Sequence, residues 1–403
     1  DGRIEGQGVA VYANGVRYEG GFRDALHHGQ GVMESPNGYR YNGEWVDGQK
    51  DGSGVITYPD GATYDGTFVA GQRDGTGRLE MADGVIYDGG WEDGQITGQG
   101  VLTQPNGDTY EGGFVAGERQ GEGVVRYTNG DVFRGVFVDD MRHGPGTFTG
   151  ADGYVYTGDW VDGRIEGDGE VRYPDGAVYT GNFRDGVAHG DGRIVYADGS
   201  SYEGQWQDGN IEGFGVARYA NGLIYEGEFR ASVQEGEGVM TLPLEVPGDA
   251  VEAPGAAAGA TEAEGEAADA ATPAEPAFSY RYEGGWLNGE RHGTGVETYA
   301  DGAIYEGEFA GGVRSGTGTL TLPDGFRYSG EWQDGQINGE GVARYSSGDV
   351  YQGSFVDGAR DGAGLLCYAS GESAAGAWTD GALVTTEAQA EAADRCAALL
   401  AEG

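Results

Sequence analysis

One pattern limits what this chain can fold into. An aromatic residue is followed by Gly two residues on and by Trp or Phe four residues on, and the set returns every 23 residues. Its first aromatic falls at Tyr18, Tyr41, Tyr64, Tyr87, Tyr110, Phe133, Tyr156, Tyr179, Tyr202 and Tyr225, then at Tyr282, Tyr305, Tyr328 and Tyr351. A degenerate copy follows at Ala374, Gly376 and Trp378. The Gly and the Trp/Phe occur in all fifteen frames, and all seven tryptophans lie at that one position. A unit of this length cannot bury its own apolar face, so a stack of units is the stable object.

Each unit reads as a β-hairpin. In YNGEWVDGQKDGSGVITYPDG (41–61), Tyr41, Gly43 and Trp45 alternate onto one face of a short strand. The stretch DGQKDG is a turn, Val55 to Tyr58 are the return strand, and PDG is the next turn. Gly between same-face aromatics leaves room for rings of neighbouring hairpins over the backbone. At about 4.8 Å per strand, each repeat advances roughly 10 Å, and fourteen to fifteen repeats span on the order of 140 Å. A second period lies beneath the first. Phe and Trp alternate at the fifth position, with one slip at Phe137, and Trp frames tend to carry an aliphatic in the turn (Ile96, Ile165, Ile211, Ile337, Leu383). Phe frames place Arg, His or Gln there, such as Arg73, Arg119, Gln234 and Arg314. The structural unit is therefore a pair of hairpins, or the alternation is a relic of duplication without physical purpose.

The motif Y-x-G-x-W/F-x-x-G-x-x-x-G-x-G resembles the MORN (membrane occupation and recognition nexus) repeat and covers most of the chain. The resemblance implies an all-β, elongated array of about 15 antiparallel hairpins in a single twisted sheet, with an aromatic-lined groove. Its candidate binding face is Tyr41, Trp45, Tyr87, Trp91, Tyr156, Trp160, Tyr202, Trp206, Tyr282, Trp286, Tyr328 and Trp332. Arrays of that family mostly scaffold proteins, dimerise or sit near membranes, and any catalysis comes from an attached domain.

Repeats thus occupy 1–242, opening with a half repeat at 1–17, and 282–383. Between them, 243–281 is an Ala/Gly/Pro/Glu-rich insertion with no base from Leu244 to Ser279. The Trp/Phe alternation runs across it from Phe229 to Trp286, so it should bulge from a continuous sheet. Residues 384–403 read as a capping helix. Thr386 and Gln389 are a capping pair, with Ala388, Ala392, Cys396 and Leu399 on one face. Cys367 lies in the last full return strand, which predicts a Cys367–Cys396 disulfide and an oxidising compartment: secreted, periplasmic or cell-surface. Two buried thiols in a cytoplasmic protein are the alternative.

The opening run DGRIEGQGVAVYANG is the second half of a frame, and Ile4 marks it as Trp-type, so a Trp is expected just upstream. Asp1 leaves a cleaved leader and an excerpt both open. The array then begins on a return strand and ends, at 374–378, on a first strand. Such complementary halves invite head-to-tail joining into a filament.

The net charge is −43, with 67 acids against 24 bases, which argues against nucleic acid and anionic membranes as partners. His28, His143, His189 and His292 share one repeat position, too far apart to ligate one metal, and His27 adjoins the first. The row Asp60, Asp83, Asn106, Asn129 and Asp152 precedes turn glycines, as tight turns require. Gly-x-Gly here lacks the strand and helix of a dinucleotide site. No catalytic set, metal or cofactor is specified. The expected function is a non-enzymatic scaffold binding a protein partner or itself, with a glycan- or lipid-binding module as the alternative.

Overall fold

The computed structural model describes residues 3–244, 278–386 and 389–401. Thirty-one antiparallel strands form one open sheet, and one helix, α1 (Gln389–Ala401), follows among the described residues. The chain divides into two compact units, Asp1–Gly192 and Arg193–Gly403.

In the first unit, strands pair with their neighbours in the chain, and one hairpin explains the rest. Arg40–Val46 runs antiparallel to Gln49–Thr57 through the two-residue turn Asp47-Gly48, whose φ values of 50° and 87° match the twist of the strands. The register then jumps. Gly43 faces Gly54 while Trp45 faces Lys50, and the extra residues on the return strand bulge at Gly52, where φ is 94°. The next hairpin is joined by Tyr58–Ala62. The Tyr58 N–H donates to Ala62 O at 2.8 Å and Gly61 N–H donates to Tyr58 O at 3.0 Å. Asp60 Oδ1 accepts from the Ala62 N–H at 3.0 Å, and Asp83, Asn106, Asn129 and Asp152 do the same for the residue two positions on.

The paired glycines are the floor of the core. A Cβ on Gly54 would sit 2.5 Å from the Tyr41 ring, and one on Gly43 would sit 2.5 Å from both the Gly54 Cα and the Tyr41 hydroxyl. The ring over the backbone therefore belongs to the same hairpin, not to a neighbouring one as the motif alone suggested. The tyrosine follows its own strand and folds back over two glycines that have no side chain to displace it.

In the second unit, strands Val233–Pro243 and Phe278–Leu287 pair from Gly236↔Trp286 to Pro243↔Phe278. The sheet is therefore continuous on both sides of the insertion, and the strands take up its first residue and its last four. Residues 245–277 lie outside the described residues. At the C-terminal end the expectation of an unpaired first strand is overturned. Ala382–Thr386 pairs with Ser373–Thr379 and completes that hairpin, so no complementary half is left there for head-to-tail joining. The segment Ala-Leu-Val-Thr-Thr has β-branched residues and a waiting ladder, and these outweigh the helical reading from 384. Residues 387 and 388, and with them Ala388 and the junction of the Thr386–Gln389 cap, lie outside the described residues.

Helix α1 crosses the end of the sheet on the face opposite the aromatic rings. Ala392, Cys396 and Leu399 pack against Val350, Leu365 and Cys367, with Val342 and Ala375 at the margin. Cys367 and Cys396 are disulfide-bonded, Cα to Cα 5.4 Å. Arg344 Nη1 donates to the Leu399 carbonyl at 2.9 Å, satisfying one of the acceptors that a helix C-terminus leaves free.

Candidate functional site

The alternation of side chains along each strand puts Tyr and Trp or Phe on one face, and they close that face against each other. Tyr41 meets Trp45 of its own strand at 5.2 Å and Phe68 of the next hairpin at 5.3 Å, both edge to face. In the second unit Tyr305 stands in the same way between Phe309 and Trp332. Such contacts are worth about 0.5–1.5 kcal/mol each beyond the area buried. Each tyrosine hydroxyl also donates to the carbonyl three residues on, as Tyr41 does to Glu44 at 2.8 Å. Burial raises the hydroxyl pKa, to about 12 at Tyr64, Tyr87, Tyr305 and Tyr328.

The twelve residues expected to present a binding face are thus interior. Tyr41, Tyr87, Tyr156, Tyr202, Tyr282 and Tyr328 are at most 2 % exposed, and Trp45, Trp91, Trp160, Trp206, Trp286 and Trp332 at most 9 %. No ligand can stack on rings whose faces already carry other rings. The alternation named their shared face and did not say what lay over it.

What lies over it is a row of cations. Arg73 covers Trp91 at 4.0 Å, Arg142 covers Phe133 at 4.6 Å and Trp160 at 4.8 Å, Arg314 covers Tyr305 at 4.5 Å, and Arg360 covers Trp378 at 4.4 Å. At Arg73, Arg142, Arg314 and Arg360 the cation of a Phe-frame turn reaches forward onto the Trp of the next frame, the ring that attracts it best, whereas Arg119 reaches Phe137 and the Trp-frame cations Lys50 and Arg291 reach Phe68 and Phe309. His27 fills the same position and stacks on Tyr18 at 3.7 Å, and burial pushes its pKa down. The larger ring also brings a donor. The indole N–H groups of Trp45, Trp91, Trp332 and Trp378 reach the carbonyls of Gly31, Gly77, Gly318 and Gly364 at 3.1–3.2 Å. Trp160 Nε1 is buried without a partner, in the frame beside Phe133, where the tyrosine hydroxyl is also missing.

Beyond the cations lies a second aromatic layer that the motif search did not single out. The residue just past the return strand is half exposed at Tyr12, Tyr173, Tyr196, Tyr219 and Tyr368. Their signal in the sequence is the recurring Tyr three residues before a turn Gly. Tyr219 accepts a hydrogen bond from Gln234 Nε2 at 2.5 Å, and Tyr127 accepts one from Arg142 Nη2 at 2.5 Å.

One residue breaks the pattern. Opposite the frame tyrosine the return strand carries an apolar residue (Met33, Ile56, Leu79, Val125, Met240, Leu320), but Tyr282 faces Glu297. Glu297 is 3 % exposed. Its carboxylate takes Arg291 on one oxygen and Arg314 on the other, the latter through Nε at 2.8 Å, with the Tyr280 and Tyr299 hydroxyls at 3.1 and 3.2 Å. Two cations and two hydroxyls replace the water that a buried carboxylate loses.

The MORN repeat profile matches fifteen segments, continuing almost without gap from 1–17 to 225–243 and from 282–304 to 351–373. It leaves the degenerate copy at 374–383 unmatched. No curated protein matches the chain. Among solved structures, the TCP10 domain of Danio rerio CPAP is similar at 16 % identity, covering 49 % of this chain and 93 % of that one, with a TM-score of 0.30. The Drosophila melanogaster SAS-4 TCP domain, solved with a proline-rich motif of Ana2, is 16 % identical over 44 % of this chain and 90 % of that one, TM-score 0.26. A Staphylococcus aureus virginiamycin B lyase is 10 % identical over 60 % and 93 %, TM-score 0.14. Repeat after repeat, the glycine floor, the tyrosine folded over it and the ring beside it follow one profile, and the chain belongs to the MORN repeat family.

Proposed function

We propose that this chain is a non-enzymatic scaffold that holds an extended segment of a protein partner along the tyrosine ridge of its aromatic face. The observation behind this reading is the layering of that face. The inner rings are sealed, and the aromatic surface that remains on that face is the half-exposed tyrosine just past the return strand, such as Tyr196 and Tyr219. Tyrosine suits this role because it offers a broad ring and a hydroxyl with little side-chain entropy to lose. Tyr196 and Tyr219 stand one repeat apart, roughly 10 Å, and an extended peptide rises about 3.3 Å per residue. Two partner residues three apart then meet Tyr196 and Tyr219.

The test is a displayed peptide library panned against the full chain, with glycan and liposome arms beside it. Selected peptides should lose about tenfold or more in affinity on Tyr196→Ser/Tyr219→Ser, as expected when two central aromatic contacts are removed. Peptides that bind both proteins equally, or a chain that takes only glycan or lipid, would overturn the reading. Self-association through the same ridge is read from the mass in solution of the wild type and the double variant. The Cys367–Cys396 bond supports residence in an oxidising compartment. Two reactive thiols in protein isolated without reductant would argue for the cytoplasm.

A further inference from the structure

The aromatic face holds a cavity where the tyrosine ridge is interrupted. At Tyr12, Tyr127, Tyr219 and Tyr299 the ridge hydroxyl meets the turn residue fifteen positions on (His27, Arg142, Gln234 and Arg314) at 2.5–3.2 Å. Across the insertion the same repeat relation joins position 242 to Arg291, and position 242 is Leu. Leu242 pairs with Tyr280 and has no hydroxyl to offer. Between Met240, two residues before it, and Arg291 a cavity of about 590 Å³ opens, lined also by Leu223, Tyr280, Trp286 and Tyr299. The buried carboxylate of Glu297 and the exposed Glu290 complete its wall.

We infer that this cavity takes the phenol ring of a tyrosine from the partner segment. Three observations lead there. The first is precedent, because in four other hairpins the group that meets the turn residue is a tyrosine hydroxyl. The second is hydrogen-bonding capacity. Arg291 Nη1 donates to Glu297 and Tyr280, and Nη2 donates to the Gly312 carbonyl, so three of its five N–H groups are used. The other two, on Nε and Nη2, find no acceptor among the described residues. Glu297, by contrast, already accepts from Arg291 and Tyr280 on one oxygen and from Arg314 and Tyr299 on the other. The buried wall thus has donors to give and no acceptor to spare. The third is charge. Arg291 and Arg314 are matched by Glu297 and Glu290, so the wall carries no net charge that would draw in an ion. A lysine or arginine would meet the N–H groups of Arg291, an aspartate or glutamate would meet Glu290, and a phenylalanine would leave the donors unmet. A neutral ring bearing one hydroxyl satisfies them, and Leu223, Met240 and Trp286 offer it an apolar bed. In naming a protein segment as the source of the ring, the inference rests on the reading of this face given above; the chemistry of the cavity does not.

The probes are N-acetyl-tyrosinamide and p-cresol, titrated onto the full chain by calorimetry, with N-acetyl-phenylalaninamide and toluene beside them. Both phenols should bind, and the probes without a hydroxyl should bind about tenfold or more weakly, because they leave an arginine N–H unmet. Leu242→Tyr gives this hairpin the ridge residue of its neighbours and should abolish phenol binding. Leu223→Tyr narrows the opposite wall with the residue that Tyr39 and Tyr154 place at the same repeat position, and should weaken it. Both substitutions put a side chain where other repeats already carry it, and the near-ultraviolet dichroism of the ring row checks the fold. Equal binding by the hydroxyl-free probes, no binding of either phenol, or binding indifferent to both substitutions would overturn the inference. Binding of p-cresol without N-acetyl-tyrosinamide would assign the cavity to a free phenol and overturn the tyrosine. The two readings fail separately. Phenol binding without any selected peptide refutes the ridge and keeps the ligand chemistry of the cavity, whereas ridge-dependent peptides without phenol binding refute the cavity alone.

Discussion

Val55 and Leu365 hold the same place in their hairpins, the outward residue after the second floor glycine, yet Val55 is 37 % exposed and Leu365 2 %. Tyr41 and Tyr351, one residue removed on the partner strands, are both fully buried. The two faces of the sheet are therefore closed in different ways. The aromatic face is closed by each hairpin and its neighbour, with a cation laid over the rings in several of them, and its rings are buried in the described repeats. The outer face is closed only where another element is laid on it. Burial on one face is a property of the repeat, and on the other it depends on what docks.

The largest effect that separates the faces is alkaline pH. The frame tyrosines have hydroxyl pKa values raised by burial, to about 12 at Tyr64, Tyr87, Tyr282 and Tyr351, against about 10 in the unfolded chain. A raised pKa means that the folded state holds the proton more tightly. Its contribution is complete below pH 10 and is lost as pH rises from 10 towards 12. Stability measured by denaturant titration should be flat between pH 8 and 9.5 and should fall steeply above 10. A flat profile to pH 12 would contradict the sealed ring row.

Next comes Glu297. Glu297→Leu restores the apolar residue of other frames but leaves Arg291 and Arg314 without their carboxylate, and should cost about 3–5 kcal/mol. Hydrogen exchange should report this as opening confined to the strands around 280–314. If Glu297→Leu is neutral or stabilising, the pair of cations is relieved by water and the network does not hold this part of the face.

Opening the Cys367–Cys396 bond tests the other face. Cys396→Ser should cost about 2–4 kcal/mol of helix docking, expose Val350 and Leu365 to a hydrophobic dye, and leave the exchange of Tyr351 unchanged. Loss of protection at Tyr351 as well would mean that the two faces are not independent. The smallest effect is expected at the one irregular frame. Phe133→Tyr supplies the hydroxyl that other frames point at the carbonyl three residues on, here Val136, and should add about 0.5–1.5 kcal/mol. A loss of stability would show that the ring beside the unpartnered Trp160 is set differently from its neighbours.

The 23-residue period determined the hairpin, its turns, the shared face of Tyr, Gly and Trp, and membership of the repeat family, because all of these follow from residues within about one repeat of each other. The turn Asp47-Gly48, the floor Gly43 and Gly54, and the one-sided set Ala392, Cys396 and Leu399 are legible on that ground. Other features were decided by tertiary structure. The rings Tyr41 and Trp45 proved to be core because Phe68 of the next hairpin packs on Tyr41, Tyr18 of the preceding one packs on Trp45, and Lys50 lies over Tyr41. The segment from Ala382 became a strand because Ser373–Thr379 offered it an unpaired ladder. Glu297 became tolerable because Arg291 and Arg314 arrive from two different hairpins. Alternation along a strand says which side chains share a face. What covers that face is set by packing between chain-distant groups, and a local pattern carries no record of it.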